Sequence, residues 1–441
     1  MTKVEYNLDQ ILDIISSVIF TAKNRNIFVE FYIYSSSYKR YTSIDDIREQ
    51  QINEKGIGMF VLYRDVEYYY YEEGYIINPL IKILKNKFNF DISCENRDNS
   101  KITIYGYPKN HFESAVYSNQ SKEFFSNINN HFFDNIAFSI SAEYEKIIVY
   151  SNDHYVFDGR VFQKLFVMKN RSIIDTYSTN TNNFVGNFFT NINKNYNEIP
   201  KSDADINFKY KNFIFLPKAT GILIHEICGH MLEGDFYKKK NPFYNMIGLK
   251  IAPDFFTVYD DPMVLYDNIM HVDDEGYLLK KNFLIVNGVL KGIIGSKMFH
   301  LKHEKIPFFH QARRESYKCV STGRAYCLCL QSDNNTLNSL IENEIDCLVI
   351  GSFEEAHYDS IKQIVSCVSS DVYLIENRTL VKVNMKIKIS EKGNTLLSNI
   401  ATICNDNEYS ENMCYSSSGW VSNATYAPSV AIKNVKFTYC K

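Results

Sequence analysis

The stretch GILIHEICGHMLEGDF, from Gly221 to Phe236, places two histidines and a glutamate on a segment that is apolar enough to be buried. In the familiar zinc-binding pattern H-E-x-x-H, the two histidines are four residues apart and share one face of a helix. Here His225 and His230 are five residues apart. The spacing therefore decides whether this helix carries a metal site or an ordinary set of polar side chains.

On a regular α-helix the two histidines point in different directions. Each residue turns the chain by about 100°, so His225 and His230 would lie about 140° apart, too far for one metal ion. A π-bulge adds one residue to the turn and brings both side chains to the same side, and such bulges concentrate at functional sites. Gly229 lacks a side chain that would block close approach of backbone or metal. We therefore predict a helix that is irregular through Cys228 and Gly229.

The surroundings of the histidines favour a metal site over the alternative, a chance set of polar positions with structural partners. The apolar run before His225 is suited to burying the start of the helix. Glu233 and Asp235 lie within reach as hydrogen-bond partners of the imidazole N–H groups, an arrangement that is common around metal-bound histidines.

Length, charge and cysteine usage indicate the general class of the protein. A chain of 441 residues is too long for one ordinary core, so two or three domains are expected. The net charge of -3 gives no electrostatic reason to expect a nucleic acid or a membrane as partner. The ten cysteines are spread irregularly and no run of 18 apolar residues occurs, which together predict a soluble cytoplasmic protein with reduced thiols.

Patterns along the chain predict an α+β fold in three parts. Residues 1–105 are predicted to form an N-terminal α/β domain and residues 106–205 a middle α/β domain. Residues 206–441 are predicted to form a mostly β C-terminal domain that carries the metal-binding helix. The polar, Asn-rich segment 180–206 is the best candidate for a boundary.

Local signals place the first elements and turns. Apolar spacing predicts a helix from Leu8 to Phe20, and NPLIKILKNKF predicts a second helix with an Asn cap and Pro79 at its first position. Turns are predicted at residues 151–153 and at Asp158–Gly159. Strands are predicted over residues 27–36, over both halves of GIGMFVLYRDVEYYYYEEGY, and over NFIFLP, FLIVNGVLKGII, DCLVIGSF and AIKNVKFTY.

Several blocks, in order, resemble the TldD/PmbA family of metallopeptidases. The segment LIHEICGHMLEGDF is similar to the family's H-E-x-x-x-H-x-x-E-G-D motif. Further similar blocks are GIGMFVLY, YSNDHYVFDGRVFQKL, HVDDEGYLLKKNFLIVNGVLKGII, ARRESY, YLIEN and YAPSVAIKNVKF. Because both motif histidines are present, the chain resembles the TldD-type catalytic subunit, whose TldE/PmbA-type partner lacks them.

The resemblance implies a specific set of site residues. It assigns His225 and His230 as metal ligands, Glu226 as the catalytic base, and Cys414 in SENMCYSSSGW as the third ligand. Two imidazoles and one thiolate would leave one open position on a tetrahedral Zn²⁺ ion, with one ion per catalytic subunit. Glu226 would take a proton from water and deliver it to the leaving amine.

Other positions leave two interpretations open. Arg313 and Arg314 in ARRESY could bind a peptide carboxylate or stabilise developing charge, but a structural salt bridge explains them equally well. Cys228 could be a further ligand of a structural zinc ion or an inert buried thiol. Two segments depart from the family's pattern. The loop after the ligand cysteine is usually rich in glycine but here is YSSSGW, and the segment that usually carries Pro-Arg and Asn is here TGRAY, which retains only the arginine, Arg324.

The function implied by the resemblance is zinc-dependent hydrolysis of short or unfolded peptides, including the maturation of ribosomally made peptides. The implied partners are the peptide substrate and either a histidine-less TldE/PmbA-like paralogue in a heterodimer or a second copy in a homodimer. The alternative is a non-catalytic subunit that binds metal or holds substrate. The presence of His225, Glu226, His230 and Cys414 together argues against that alternative.

Overall fold

The computed structural model describes residues 6–43, 47–90, 92, 97–98, 100–106, 136–169, 172–178, 201–202, 212–236, 242–266, 270–303, 305–343 and 347–440. Within these ranges seven α-helices accompany 28 strands, which form four larger sheets and two pairs of short strands. The combination of helices with mostly antiparallel sheets confirms the α+β class. The predicted boundary segment 180–206 lies outside the described residues except for Lys201–Ser202.

Most of the helices are short. Their bounds are α1 Leu8–Asn24, α2 Asn78–Phe88, α3 Pro217–Ile224, α4 Pro262–Tyr266, α5 Lys297–Lys302, α6 Leu337–Asn343 and α7 Gly393–Ser398. A π-helix over His225–Gly229 continues α3, and 3₁₀ turns cover His230–Leu232, Gly234–Phe236 and Pro242–Met246. Within the described residues, no helix is long and apolar enough to cross a membrane.

The structure confirms both predicted N-terminal helices, but the predicted N-cap residue of α2 was wrong. The residue before the helix is Ile77, and Asn78 is already helical, so Pro79 takes the second position. The Asn78 side chain makes no cap and instead donates a hydrogen bond to the Tyr6 hydroxyl at 2.8 Å. A tertiary contact with the segment before α1 has replaced the local cap.

The first sheet contains seven strands in the order β3-β2-β1-β5-β6-β4, with β7 also paired to β6. These strands are β1 Phe28–Ser43, β2 Ile47–Tyr63, β3 Val66–Glu73, β4 Thr103–Gly106, β5 Ile136–Ser151, β6 Tyr155–Lys169 and β7 Ser172–Ser178. Because β1 pairs with β5, the sheet takes strands from both sides of the predicted boundary at 105/106. The division of the chain into three domains stays a prediction.

Of the two predicted turns, one is confirmed and one was wrong. Residues 151–153 lie at the turn between β5 and β6, whereas Asp158 and Gly159 lie inside β6. The reason is that Asp158 is buried and accepts hydrogen bonds from the Arg160 side chain and the His271 backbone. An acidic residue before a glycine, which usually marks an exposed turn, here belongs to a buried ion network.

The first sheet is covered on both faces, as its alternating side chains require. On one face Val29, Phe31 and Ile33 pack with the apolar sides of α1 and α2. On the other face Tyr32 and Tyr34 pack with side chains of the C-terminal half, Val272 and Tyr317 among them. The N-terminal sheet therefore lies between its own helices and the part of the chain that carries the histidines.

The C-terminal half is built from three larger sheets. The second sheet has the order β12-β11-β10-β17-β26-β25, the third β24-β27-β9-β18-β21-β22-β8, and the fourth β19-β20-β23-β28. The second sheet contains β10 Val258–Asp260, β11 Asn282–Val286, β12 Val289–Leu290, β17 Cys327–Leu330, β25 Glu408–Ser416 and β26 Gly419–Ala427. The third contains β8 Lys201–Ser202, β9 Asn212–Phe215, β18 Cys347–Ser352, β21 Asp371–Glu376, β22 Thr379–Val383, β24 Ile400–Ile403 and β27 Val430–Ile432.

The remaining strands complete this half. The fourth sheet contains β19 Glu355–Asp359, β20 Ile364–Ser369, β23 Lys386–Lys392 and β28 Phe437–Cys440. The two short pairs are β13 Ile293–Gly295 with β14 Phe308–His310, and β15 Ala312–Arg313 with β16 Thr322–Gly323. The C-terminal half is thus mostly β, as predicted, and α3 with the π-helix packs among its sheets.

Buried ion pairs connect the first sheet to the C-terminal half. Arg160 in β6 contacts Asp274 at 2.6 Å, and Arg314 contacts Glu30 in β1 at 2.7 Å. Burial raises the pKa of Glu30 to about 7, although Arg314 acts in the opposite direction. The Glu30–Arg314 pair is therefore mostly charged only above that pH.

We predict that Arg314→Gln lowers the free energy of unfolding by about 3 kcal/mol or more, because the Glu30 carboxylate would stay buried without its counter-ion. Urea unfolding above pH 7, where the pair is charged, measures this change. The control is Asp13→Asn, which breaks the exposed Arg97–Asp13 pair and should cost less than about 1 kcal/mol. Equal effects of the two substitutions would contradict a stabilising role for the buried pair.

Candidate metal centre

The segment that carries both histidines is a π-turn. The His230 N–H donates to the His225 carbonyl, a bond that spans five residues and not the four of an α-helix. At the end of this turn Gly229 has φ -76° and ψ -85°, and a 3₁₀ turn begins at His230. The predicted irregularity through Cys228 and Gly229 is confirmed.

The π-turn brings the two imidazoles together. Their ring centroids are 4.7 Å apart, and the rings are inclined by 74°. A Cβ atom at Gly229 would lie 3.4 Å from His225 Nδ1 and 3.2 Å from Leu328 Cδ1. The glycine therefore leaves room beside the first imidazole, as its position in the sequence suggested.

A third side chain reaches the same point from the far end of the chain. One potential ligand atom from each of His225, His230 and Cys414 lies within 4.8 Å of the others, and Cys414 Sγ is 3.2 Å from His230 Nε2. Cys414 lies in β25, which forms a hairpin with β26. No other group of three or more His, Cys, Asp or Glu side chains in the described ranges could hold a metal ion in this way.

Glu233 fixes the orientation of the second imidazole. Its carboxylate accepts a hydrogen bond from His230 Nδ1 at 2.9 Å, and both side chains are buried. Nδ1 therefore carries a proton, and Nε2 is the nitrogen that faces Cys414, where it can donate to the thiolate in the metal-free protein or bind a metal ion after losing its proton. Burial alone would raise the pKa of Glu233, but His230 and Arg324 lower it to about 2.

Of the two acidic residues expected beside the histidines, only Glu233 contacts one of them in the structure. The Asp235 carboxylate instead accepts bonds from the backbone N–H groups of Ser296 and Gly323 and from the Ser296 hydroxyl. The expectation for Asp235 was wrong because the chain leaves the helix after Glu233 and turns Asp235 toward the β13–β16 region.

The two cysteines that compete as ligands have opposite environments. Burial would raise the pKa of the Cys414 thiol, but hydrogen bonds from His225 and His230 outweigh it and lower the pKa to about 6. Cys228 packs among apolar side chains with no exposed surface, and burial raises its pKa well above the usual range. The electrostatics favour a thiolate at Cys414 and a neutral thiol at Cys228.

Glu226 is buried next to the first histidine. Its Oε2 atom has no hydrogen-bond partner among the residues that the structure describes, and the same holds for His225 Nδ1. Buried polar atoms without partners are costly, so such atoms usually face a water molecule, an ion or a ligand. These two atoms, together with the histidine and thiolate donors, fit a zinc site that also holds water.

Arg324 is a residue of this region whose contacts the sequence did not predict. It is buried and donates to the Cys414 carbonyl at 3.1 Å, and it lies 3.6 Å from the Glu233 carboxylate. The only signal in the sequence was that Arg324 is retained in TGRAY while its neighbours depart from the family's pattern.

Arg313 and Arg314 line a cavity of about 520 Å³ between the first sheet and the β25–β26 hairpin. Each already has protein partners: Arg314 contacts Glu30, while Arg313 donates to the Ala325 and Ser422 carbonyls. These contacts support the structural interpretation that the sequence left open. A substrate-binding role for the two arginines stays a prediction.

Most of the hairpin residues that line the cavity lie on the face of the second sheet opposite Cys414. Cys414 is directly opposite Val421, so both side chains share the face of Thr425, whose hydroxyl abuts Gly221 in α3. Met413 and Trp420, which line the cavity, belong to the other face. Val421, which shares the face of Cys414, also borders the cavity, so the cavity reaches the end of the hairpin near the candidate metal centre.

Comparison with known families now identifies the chain. Residues 209–439, just over half of its length, match the family described as PmbA/TldA metallopeptidase C-terminal domain. The chain belongs to the PmbA/TldD family. This confirms the resemblance found in the sequence, and the matched region contains the π-turn, Arg324 and the Cys414 hairpin.

Relatives with assigned names align with parts of this chain. A metalloprotease TldD homolog from Buchnera aphidicola is 30% identical over 195 residues, which cover 44% of this chain and 40% of that protein. A zinc metalloprotease TldD homolog from Saccharolobus solfataricus is 24% identical over 235 residues, or 51% of this chain and 50% of that protein. The aligned part of the chain thus spans half or less of these relatives.

A solved structure shares the fold over nearly the whole chain. The crystal structure of TldE from Thermococcus kodakarensis has a TM-score of 0.66 and 16% sequence identity, and the match covers 98% of this chain and 99% of that chain. This likeness extends the family's fold beyond the C-terminal half to the first sheet and its helices.

We predict that Cys414 is alkylated by iodoacetamide at lower pH than the other cysteines whose surroundings the structure describes, in the metal-free protein. Its pKa of about 6 means that the reactive thiolate forms as the pH rises through that value. Mass spectrometry of the labelled sites as a function of pH measures this. Cys319 is the control, since it is also half-buried but burial and Glu315 raise the pKa of its thiol.

Labelling of Cys414 only at the pH at which Cys319 reacts would contradict the thiolate assignment. Cys228 should stay unlabelled throughout as long as the protein is folded, because it has no exposed surface.

Proposed function

We propose that this protein is a zinc-dependent peptidase of the TldD type, with His225, His230 and Cys414 as the metal ligands. The observation that carries the proposal is that these three side chains, two from the π-turn and one from a hairpin 184 residues after His230, bring their ligand atoms within 4.8 Å of one another. The metalloprotease and zinc metalloprotease names of the relatives support the same chemistry. One Zn²⁺ ion per subunit matches the one set of ligands found in the part of the chain that the structure describes.

A zinc ion held here would supply a Lewis acid for a peptide carbonyl and would lower the pKa of a water molecule that it binds. The protein's own contribution is to hold the donors in their reactive forms. The Glu233–His230 bond keeps Nε2 of the second histidine available, and the two imidazoles favour the Cys414 thiolate. Three protein donors leave one position open for water and substrate, as in other catalytic zinc sites.

Glu226 is the proposed general base. It follows the first ligand directly in sequence, is buried, and has a carboxylate oxygen with no partner in the described part of the chain. A carboxylate in that state can accept a proton from water and donate it to the leaving amine, which is the proton transfer that amide hydrolysis requires. Because Glu226 is buried, its carboxylate also makes fewer hydrogen bonds to bulk water.

For substrate and partner we propose short or unfolded peptides and a histidine-less TldE-like paralogue. The shared fold with TldE from Thermococcus kodakarensis supports assembly of two related chains into a heterodimer, with a homodimer as the alternative arrangement. Within this proposal, maturation of a ribosomally made peptide is the specific role. Copurification of the chain with a TldE-like protein from its own source, followed by peptide digestion, tests both statements.

The competing candidate is a structural zinc site, with Cys228 as a fourth protein ligand and no open position. Two observations speak against it. Cys228 lies in the apolar core and is not part of the donor cluster, and its raised pKa disfavours the thiolate that a metal ligand must be.

We predict that Glu226→Gln keeps bound zinc but lowers the rate of peptide hydrolysis by about 10²- to 10⁴-fold, because it removes the base and no ligand. Elemental analysis and a peptide-cleavage assay on the same preparation measure the two effects. Turnover at the wild-type rate in the zinc-loaded variant would contradict the assignment of Glu226 as base.

We further predict that Cys414→Ala loses zinc and activity, whereas Cys228→Ala retains both. The two substitutions are a matched pair, since each removes one thiol from the neighbourhood of the histidines. Zinc content after dialysis and hydrolysis of an unfolded peptide are the measurements. Loss of zinc from Cys228→Ala with retention in Cys414→Ala would overturn the ligand assignment.

A further inference from the structure

Arg324 touches both halves of the candidate metal centre. It lies between β16 and β17, and its side chain is 2% exposed. On one side its guanidinium donates to the Cys414 carbonyl at 3.1 Å. On the other side its Nε is 3.6 Å from the carboxylate of Glu233, which accepts the hydrogen bond from His230.

We propose that Arg324 is a positioning residue that holds the Cys414 hairpin in register with the histidine turn, so that zinc affinity depends on it. This inference rests on the proposed function, because it assumes that His230 and Cys414 bind the same ion. Arg324 acts through the Cys414 carbonyl and the Glu233 carboxylate and is not one of the proposed ligands.

The hairpin needs such a support because of where Cys414 lies. β25 is an edge strand that pairs only with β26 among the strands described. Cys414 is two residues from the end of β25, and its neighbours Met413 and Tyr415 are exposed. The end of β25 is therefore supported by a single neighbouring strand, and its outer face is exposed.

Arg324 compensates with contacts along the tip of the hairpin. Besides the Cys414 carbonyl, it donates to the Ser418 hydroxyl at 3.3 Å and to the Gly419 carbonyl at 3.5 Å. These groups lie on both strands and on the turn between them. One planar guanidinium thus contacts Cys414 in β25, the turn, and the start of β26 at the same time.

The link to the histidine turn is electrostatic. Glu233 is buried with its Oε1 atom lacking a hydrogen-bond partner in the described part of the chain, and Arg324 is the guanidinium that balances its charge at 3.6 Å. Removing Arg324 would leave the Glu233 carboxylate with less compensation and would weaken its hold on His230 Nδ1. A single substitution should therefore disturb two ligands on different elements.

Lysine cannot replace these contacts. A guanidinium presents five N–H donors in a fixed plane, whereas an ammonium is a single point of charge. Arg324→Lys would retain a positive charge near Glu233 but lose the simultaneous bonds to Cys414, Ser418 and Gly419. Its effect should lie between those of the wild type and Arg324→Gln.

Zinc affinity, measured by competition with a chelator, tests the proposal without an activity assay. We expect Arg324→Gln to bind zinc about 10- to 100-fold more weakly, the range typical for residues that orient metal ligands. With cobalt in place of zinc, two absorptions can be compared: the thiolate-to-cobalt charge-transfer band and the d–d bands of the bound cobalt. In the variant the first should fall relative to the second, because Cys414 would lose more of its support than the two histidines. A general loss of stability would not single out the thiolate.

Arg160→Gln is the control for the loss of a buried arginine. Arg160 is also 2% exposed and ion-paired, but its partners are Asp158, Asp274 and Glu145, none of which is a candidate metal ligand. This variant should lose stability while its zinc affinity and cobalt spectrum stay at wild-type values. If Arg324→Gln does not fold, Arg324→Lys carries the same comparison.

Zinc affinity and thiolate absorption at wild-type values in a folded Arg324 variant would overturn the inference. An equal loss of affinity in Arg160→Gln would also overturn it, because the effect would then follow stability alone. Failure of the wild-type protein to bind zinc would contradict the proposed function itself. This outcome differs from failure of the inference because it is measured on the unsubstituted protein.

Discussion

The bond from the His230 N–H to the His225 carbonyl determines how the rest of the site is arranged. On a regular α-helix the two histidine side chains would diverge. The extra residue in the π-turn brings them together, with their ring centroids 4.7 Å apart. The same distortion ends the helix, because the chain passes directly into a 3₁₀ turn and then extends at Glu233. Glu233 is thereby left beside His230, where it can hold the imidazole.

The distorted turn is stable only because the surrounding core supports it. Its residues His225–Gly229 are all buried, and Ile227 and Cys228 belong to the largest apolar cluster of the C-terminal half. Leu328 and Leu330 of β17 contribute to that cluster from the second sheet, whose edge carries Cys414. One sheet thus provides both the packing beneath the turn and the thiol beside it.

The sequence was sufficient to predict the π-turn, because the angle between two histidines follows from helix geometry alone. It also predicted α1, the β5–β6 turn and the strand-rich C-terminal half, where local composition and structure agree. It could not predict the proximity of Cys414 and His230 from spacing, since 184 residues separate them and only the resemblance to a family supplied the pairing. Residue contacts such as those of Arg324 depend on tertiary packing and have no local signature.

Where the sequence was wrong, a long-range contact had overridden a local preference. Asp158–Gly159 has the composition of a turn, yet the Asp158 side chain is needed by Arg160 and His271, so the segment stays in β6. Asn78 is a suitable cap, yet it bonds with Tyr6. Asp235 follows Glu233 closely but is taken by Ser296 and Gly323. In each case a polar side chain found its partner outside its own segment.

The ion pairs between the first sheet and the C-terminal half have a consequence for how the chain folds during synthesis. Glu30 precedes its partner Arg314 by 284 residues, and Arg160 precedes Asp274 by 114. While the ribosome is still making the later part, one face of the first sheet carries aromatic and charged side chains that have nothing to pack against. Contacts of such high sequence separation form late and slow folding, and the uncovered face is open to association with other chains. We therefore expect the first sheet to be prone to association with other chains until the C-terminal strands that cover it have been translated.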